Sequence, residues 1–489
     1  MMRDTVTLSR RRFLQAAALG AMGLRSGSPW AQVGSSSLGA PTRRFRLMAA
    51  EGEVEVASGQ PYKAWLYNGE LPGPAIRVKE GERLVVTVEN RLPSGTTVHW
   101  HGIPVPNAMD GVPGLTQEPI APGERFIYEF TAAPAGSYIY HSHVGLQLDR
   151  GLYGPLIIEE KTPHISYDRE YTLVLDDYLP GPPSPLEELA SRGEGTGMGP
   201  GMMGPGMMGP GMMGPGMMGP GMMGPGMHGM MGGFIVPPYA GLLINGRLPS
   251  DAPAFEVRQG ERIRLRLLNP AGATTFHFAV AGHRLTITHA DGQPVEPSEV
   301  DALFIGMGER YDVLVQASNP GVWFMEATPV ESNSPPARAV LRYSGTKAKT
   351  APESVGPIGG LQFHSAYLRA LSPFSSGTPD RVFDLILSGR SATQWTLNGQ
   401  AWPDTEPLLV RSGERIRFRM SNRSLMLHPM HLHGHFFQVG GAVKDTVLVP
   451  PHMGQVDFDF IADNPGRWFF HCHNIYHMES GMAREVRYV

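Results

Sequence analysis

Ten of the chain's 18 histidines fall into four clusters. They read His99-Trp100-His101-Gly102, His141-Ser142-His143, His428-Pro429-Met430-His431-Leu432-His433-Gly434 and His471-Cys472-His473-Asn474-Ile475-Tyr476-His477. Imidazole is the commonest metal-binding side chain. Side chains on a strand alternate faces with period two, so each His-x-His pair aims both rings to one side. The same parity turns Cys472, the only cysteine, to the face opposite His471 and His473. His428 is expected on that opposite face as well. His477 follows Cys472 by five residues, and Met482 follows His477 by five. A thiolate, two imidazoles and a distant thioether make a blue-copper site. One cysteine between two histidines is ill suited to structural zinc, which closes four-ligand sites. His164, His277, His283, His289, His364 and His452 join no cluster and read as ordinary core or surface residues, and His435 lies beyond the face pattern.

The elements that must position these residues recur three times. Val78-Lys79-Glu80-Gly81-Glu82-Arg83 returns as Val257-Arg258-Gln259-Gly260-Glu261-Arg262 and as Val410-Arg411-Ser412-Gly413-Glu414-Arg415. Each copy runs into an alternating strand ending in Asn90, Asn269 or Asn422. Upstream stand the turns Asn68-Gly69, Asn245-Gly246 and Asn398-Gly399. Downstream stand the corners Pro134-Ala135-Gly136-Ser137-Tyr138, Pro320-Gly321-Val322-Trp323 and Pro465-Gly466-Arg467-Trp468. Short alternating strands punctuated by turns predict three consecutive Greek-key β-sandwich or barrel domains. The expected boundaries are 42–160, 165–345 and 373–489, with a linker over 346–372. His99 and His431 each lie 18 residues past their repeat glycine, and His141 and His471 each lie five past their corner glycine. Equivalent faces of domains one and three can therefore meet around metal. The counterparts in domain two are His277-Phe278-Ala279 and Met325-Glu326-Ala327, so that domain is expected to be a spacer or substrate wall.

Composition excludes several classes. Lys+Arg 41 against Asp+Glu 45 gives a net charge of −4, which argues against a nucleic-acid partner. One cysteine permits no internal disulfide. No apolar run approaches a membrane span. Ser9-Arg10-Arg11-Arg12-Phe13-Leu14-Gln15 ahead of a short apolar stretch resembles a twin-arginine signal, expected over residues 1–31. That predicts export to a periplasmic or other extracytoplasmic compartment, and a monomer is expected there.

With these motifs in place, the chain resembles the three-domain multicopper oxidases of the laccase and cuprous oxidase group. All four histidine motifs match, and the repeat extends the match over nearly the whole mature chain. The resemblance implies cupredoxin-like domains and four copper ions: one type 1, one type 2 and two type 3. It implies type 1 copper on His428, Cys472, His477 and axial Met482, and type 2 copper on His99 and His431. The type 3 pair would use His101, His141 and His473 on one ion, and His143, His433 and His471 on the other. Dioxygen would be reduced to two waters by electrons from small aromatic reductants or copper(I). Asp110, eleven residues after His99, matches the carboxylate that such proteins use as a proton relay. The residue after His477, often Glu in bacterial members, is Met478 here, with Glu479 one further on.

Residues 197–233 hold 16 Gly, 14 Met, 6 Pro and one His. The Pro-Gly-Met-Met-Gly repeat brings Met202, Met203, Met207, Met208, Met212, Met213, Met217, Met218, Met222, Met223, Met227 and His228 into one tract. Thioethers select copper(I), so the tract is expected to handle that ion; a flexible linker and a protein-contact segment are the competing readings. Met426 matches a substrate ligand of the cuprous oxidases, and the acidic residue that accompanies it there is Ser424 here. A non-enzymatic copper-storage protein, a copper-free relative and a copper nitrite reductase remain as other classes. The first two would lose ligands, and the last would lack paired His-x-His sets.

Overall fold

Each copy of the repeat builds the same local structure. Gly81, Gly260 and Gly413 have φ of 85°, 91° and 87°, the left-handed region open to glycine. The glutamate that follows accepts from the backbone N–H three residues before it: Glu82 from Lys79 at 2.8 Å, Glu261 from Arg258 and Glu414 from Arg411, both at 2.9 Å. Asn90, Asn269 and Asn422 each donate to a distant carbonyl, those of Ile120, Ile305 and Val449. Asn68, Asn245 and Asn398 take positive φ in their turns and tie them to the neighbouring strand. At the corners, the Tyr138 hydroxyl and the Trp323 and Trp468 indoles each donate to the carbonyl four residues upstream.

The computed structural model describes residues 40–194, 235–346, 354–355 and 367–489. The expected signal peptide, the Met tract and most of the 346–372 linker lie outside the described residues. The strands form three pairs of sheets, with non-consecutive neighbours throughout. In each pair one sheet joins a long first strand in parallel to the strand after the repeat motif: Thr42–Ala57 with Arg83–Asn90, Arg169–Tyr178 with Arg262–Leu268, and Arg381–Ser391 with Arg415–Asn422. The other sheet carries the corner strand. Three apolar cores fill the sandwiches, around Trp100, Phe278 and Phe418. No helix among the described residues is long and apolar enough to cross a membrane.

The histidine strands pair in equivalent registers. His99–His101 runs antiparallel to Gly136–His141 with His99 opposite His141. His428–Leu432 runs antiparallel to Arg467–Cys472 with His431 opposite His471. In the central sandwich the corresponding strands are Phe276–Val280 and Val322–Pro329. The expected strand parity is only partly literal. His99 and His101 share one strand, whereas His143, His433 and His473 lie just beyond their strands' ends. The alternation persists far enough there to bring their rings into the same space.

Candidate metal centre

Eight buried histidines from the first and third sandwiches converge where those sandwiches meet. His99 stacks on His433 and His101 on His431, both at 3.8 Å between ring centroids, so the two sandwiches exchange rings across a pseudo-twofold contact. Ligand atoms of His101, His141 and His473 lie within 4.8 Å of one another. The same holds for His143, His433 and His471, and for His99, His101 and His431. His435 stands apart, bonded to the His433 carbonyl and to Tyr488.

Hydrogen bonds on the far side of six of the rings decide which nitrogen is free. Nδ1 of His99, His141, His431 and His471 faces the carbonyls of Asp110, Ser142, Asp445 and Cys472 at 2.8–2.9 Å. A carbonyl accepts only from an N–H, so the proton sits on Nδ1 and Nε2 carries the lone pair. His433 donates Nδ1–H to the Asp110 carboxylate at 3.0 Å. His101 is reversed: its Nε2 meets Asp445 Oδ1 at 3.1 Å, leaving Nδ1 without a partner. Nε2 of His99, His141, His143 and His431 is likewise buried without a hydrogen-bond partner. The Nε2 atoms of His433 and His471 face each other at 2.9 Å, two lone pairs with no proton between them. Such convergence is satisfied by a cation, and the donor set fits copper.

The second cluster is Cys472, His428 and His477. Cys472 Sγ lies 3.6 Å from His428 Nδ1 and 3.7 Å from His477 Nδ1, and those nitrogens are 3.2 Å apart. Ser424 Oγ meets His428 Nε2 at 2.8 Å, which turns Nδ1 toward the sulfur. His477 sits on the short helix Ile475–Glu479, whose N-cap Asn474 accepts from the N–H groups of Tyr476 and His477. Met482 is buried in the same core, its carbonyl accepting from Cys472 N at 3.0 Å. Trp395 covers the His477 ring at 4.1 Å. Burial holds His428 down to about 3 and His477 well below the usual histidine range, so both rings are neutral. Burial pushes the Cys472 thiol far up, so it ionises only against a cation.

A cavity of about 170 Å³ opens over this cluster, lined among others by Ile235, Tyr239, Glu331, Met426, Asn474 and His477. Glu331 comes from the central sandwich and accepts from Leu427 N at 3.1 Å; burial raises its carboxyl to about 7. No motif marks Glu331 in the sequence. It supplies the carboxylate at the Met426 cavity that Ser424, a hydroxyl bonded to His428, does not. Asp445 and Arg310 likewise belong to no sequence motif. Their signal was a charged pair, Lys444-Asp445, inside the apolar run 442–449, and an arginine whose Gly308-Glu309-Arg310 setting looks like the exposed repeat motif.

Three sandwiches with a buried Cys/His centre beside an eight-histidine cluster define an oxidoreductase that uses copper. Comparison with known proteins agrees. Family profiles described as multicopper oxidase match residues 49–163, 224–346 and 376–489. Multicopper oxidase MmcO of Mycobacterium tuberculosis is 38% identical over 512 residues, covering 98% of this chain and 97% of that protein. Copper resistance protein A of Pseudomonas syringae pv. tomato is 28% identical over 604 residues, covering 98% and 99%. Among solved structures, the laccase from Botrytis aclada superposes with a TM-score of 0.73 at 25% identity, over 91% of this chain and 88% of that one. Fet3p, described as a multicopper oxidase that functions in iron import, gives 0.76 at 23% identity over 91% and 90%. The chain belongs to the multicopper oxidase family. Its fold is three consecutive cupredoxin-like sandwiches, and it is an oxidase.

Proposed function

We propose that this oxidase takes single electrons from copper(I), and from phenols or aromatic amines, at one centre and passes four to dioxygen at the other, yielding two waters. Bound copper would supply one-electron acceptance at the Cys472 centre and the binding of dioxygen at the histidine cluster. His428, Cys472, His477 and Met482 would hold type 1 copper. His99 and His431 would hold type 2. His101, His141 and His473, and separately His143, His433 and His471, would hold the type 3 pair. The observation that carries the reading is the position of Cys472. Its sulfur faces His428 and His477, while its covalent neighbours His471 and His473 face the cluster. Cys472 is thus a direct covalent link between the two centres. Asp110, fully buried and accepting from His433, would serve as the proton relay for oxygen reduction.

The cavity favours copper(I) as one reductant. Met426 offers a soft thioether and Glu331 an anionic oxygen, within reach of the His477 edge. The described segments that flank the Met tract support this. Leu186 and Leu189 before it and Ile235 after it pack in the core that holds Met426 and Ile475, and Ile235 lines the cavity itself. The described chain after the tract therefore begins at the cavity over the Cys/His centre. All twelve proposed copper ligands lie in one chain, which supports a monomer, and the N-terminal arginine motif supports export by the twin-arginine route. Oxygen uptake with copper(I) and with a phenol, on the same copper-loaded enzyme, tests the reading. Copper(I) turnover at low free metal is expected. Uptake with phenol alone would leave a general laccase whose tract is a linker, and uptake with neither would leave a copper-storage protein.

A further inference from the structure

The histidine cluster has a third wall, and it comes from the sandwich that holds no cluster histidine. Gly308 has φ of 81° and lies against the cluster; a Cβ there would stand 2.9 Å from His101 Cε1 and His473 Cδ2. Two residues on, Arg310 is fully buried and forks onto Asp445, with Nη1 2.7 Å from Oδ1 and Nη2 2.6 Å from Oδ2. Its other donors meet the Ser137 carbonyl in the first sandwich and the Gly308 carbonyl in its own. One guanidinium thereby touches all three sandwiches.

Asp445 is the point through which this reaches the metal ligands. Its Oδ1 meets His101 Nε2 at 3.1 Å, and its carbonyl meets His431 Nδ1 at 2.8 Å. Thr446 Oγ1 donates to the same Oδ1 at 2.8 Å and touches both rings at 3.1 Å. Asp291 braces the segment from the central sandwich, accepting from Thr446 N at 3.1 Å and pairing with Lys444 at 3.0 Å. The bond to Asp445 is what sends the His101 lone pair to Nδ1, the reverse of the carbonyl-anchored rings around it.

We propose that Arg310 is a positioning residue of the histidine cluster: by clamping Asp445 it fixes the orientation of His101 and His431 and makes His101 present Nδ1. The inference rests on the copper reading above. A merely bracing ion pair predicts something different. Arg264 is such a brace, equally buried, bonded to Asp312 at 2.5 Å and to Glu160 of the first sandwich at 3.1 Å, its side-chain bonds going to neither Asp445 nor a cluster histidine.

The test uses the copper-loaded enzyme with Arg310→Met, Arg310→Lys and, as control, Arg264→Met. Electron paramagnetic resonance of type 2 copper, the near-ultraviolet band of the type 3 pair, the blue band of type 1 copper and copper loss to a chelator are read together. Arg310→Met should keep the blue band while the cluster binds copper about 10- to 100-fold more weakly, the usual cost of losing a group that orients metal ligands. Arg310→Lys keeps the charge but cannot bridge both carboxylate oxygens, so it should retain copper with a changed type 2 hyperfine splitting. Arg264→Met should lower thermal stability and leave the type 2 spectrum unchanged. Wild-type spectra and chelator resistance in Arg310→Met would overturn the inference, as would equal losses in Arg264→Met. If Arg310→Met does not fold, an unchanged type 2 spectrum in Arg310→Lys overturns it alone. A wild-type enzyme with blue copper but no type 2 signal would instead overturn the copper reading itself.

Discussion

Replacing Glu331 by Gln should separate the two proposed reductants. The amide keeps the size of the side chain and an oxygen to accept from Leu427 N, and removes only the charge. Burial raises the Glu331 carboxyl from 4.5 to about 7. That gap corresponds to roughly 3 kcal/mol, a scale for the burial penalty that a cation settling beside the carboxylate would offset. The side chain is partly exposed, so solvent screens part of this, and about 2 kcal/mol or somewhat less is the working figure. In rate terms, Glu331→Gln should lower kcat/KM for copper(I) about 10- to 30-fold at pH 8. A neutral phenol gains little from the charge, and its kcat/KM should change less than about threefold. The pH dependence carries a sign. Ionised Glu331 attracts copper(I), so in the wild type KM for copper(I) should fall as pH rises through about 7, and in the variant that slope should vanish. Stability runs the other way. The folded state holds a proton between 4.5 and about 7 that the unfolded chain has released, so the stabilisation is full below 4.5 and is lost as pH rises to about 7. The metal-free variant should therefore melt higher than metal-free wild type at pH 8 and close to it at pH 4. Equal losses on copper(I) and phenol, or a wild-type pH slope surviving in the variant, would refute the reasoning.

Cys472→Ser, an almost isosteric change in a fully buried site, should abolish the blue absorption and substrate oxidation while circular dichroism stays that of the wild type. Asp110→Asn keeps a group that can accept from His433 and removes the acid; reoxidation by dioxygen should slow about 100-fold while stopped-flow reduction of the blue centre stays fast. Deleting residues 197–233 removes no copper ligand, so copper content should hold, copper(I) oxidation at low free metal should drop, and oxidation of bulky phenols should stay level or rise. Parallel changes in both activities would make the tract a spacer.

Much of this was legible because the chemistry is carried by residue types that are rare or periodic. His-x-His parity, one cysteine and a motif repeated at constant offsets place the ligands on matching strands, and the registers His99–His141 and His431–His471 follow from those offsets. The repeated Gly, Glu and Asn positions were legible for the same reason: each closes a local hydrogen bond within its own sandwich. Contacts between sandwiches were not. Glu331 reaches Leu427 across 96 positions and Arg310 reaches Asp445 across 135, and nothing local requires either.

The central sandwich shows why that matters for function. Its missing histidines suggested a spacer or a wall, and it does line the cavity through Tyr239 and Glu331. It also supplies the glycine that lets His101 and His473 close up and the arginine that clamps Asp445. Those are tasks a donor residue cannot do for itself. A ring in van der Waals contact with its neighbours still rotates unless its far nitrogen is held, and the outer sandwiches hold four of the eight with their own carbonyls. His101 differs in being held through Nε2, by a carboxylate that would itself be a buried, unbalanced charge without Arg310. The loss of ligands from domain two therefore leaves a domain whose residues decide what may approach the Cys/His centre on one side and how the histidine cluster is oriented on the other.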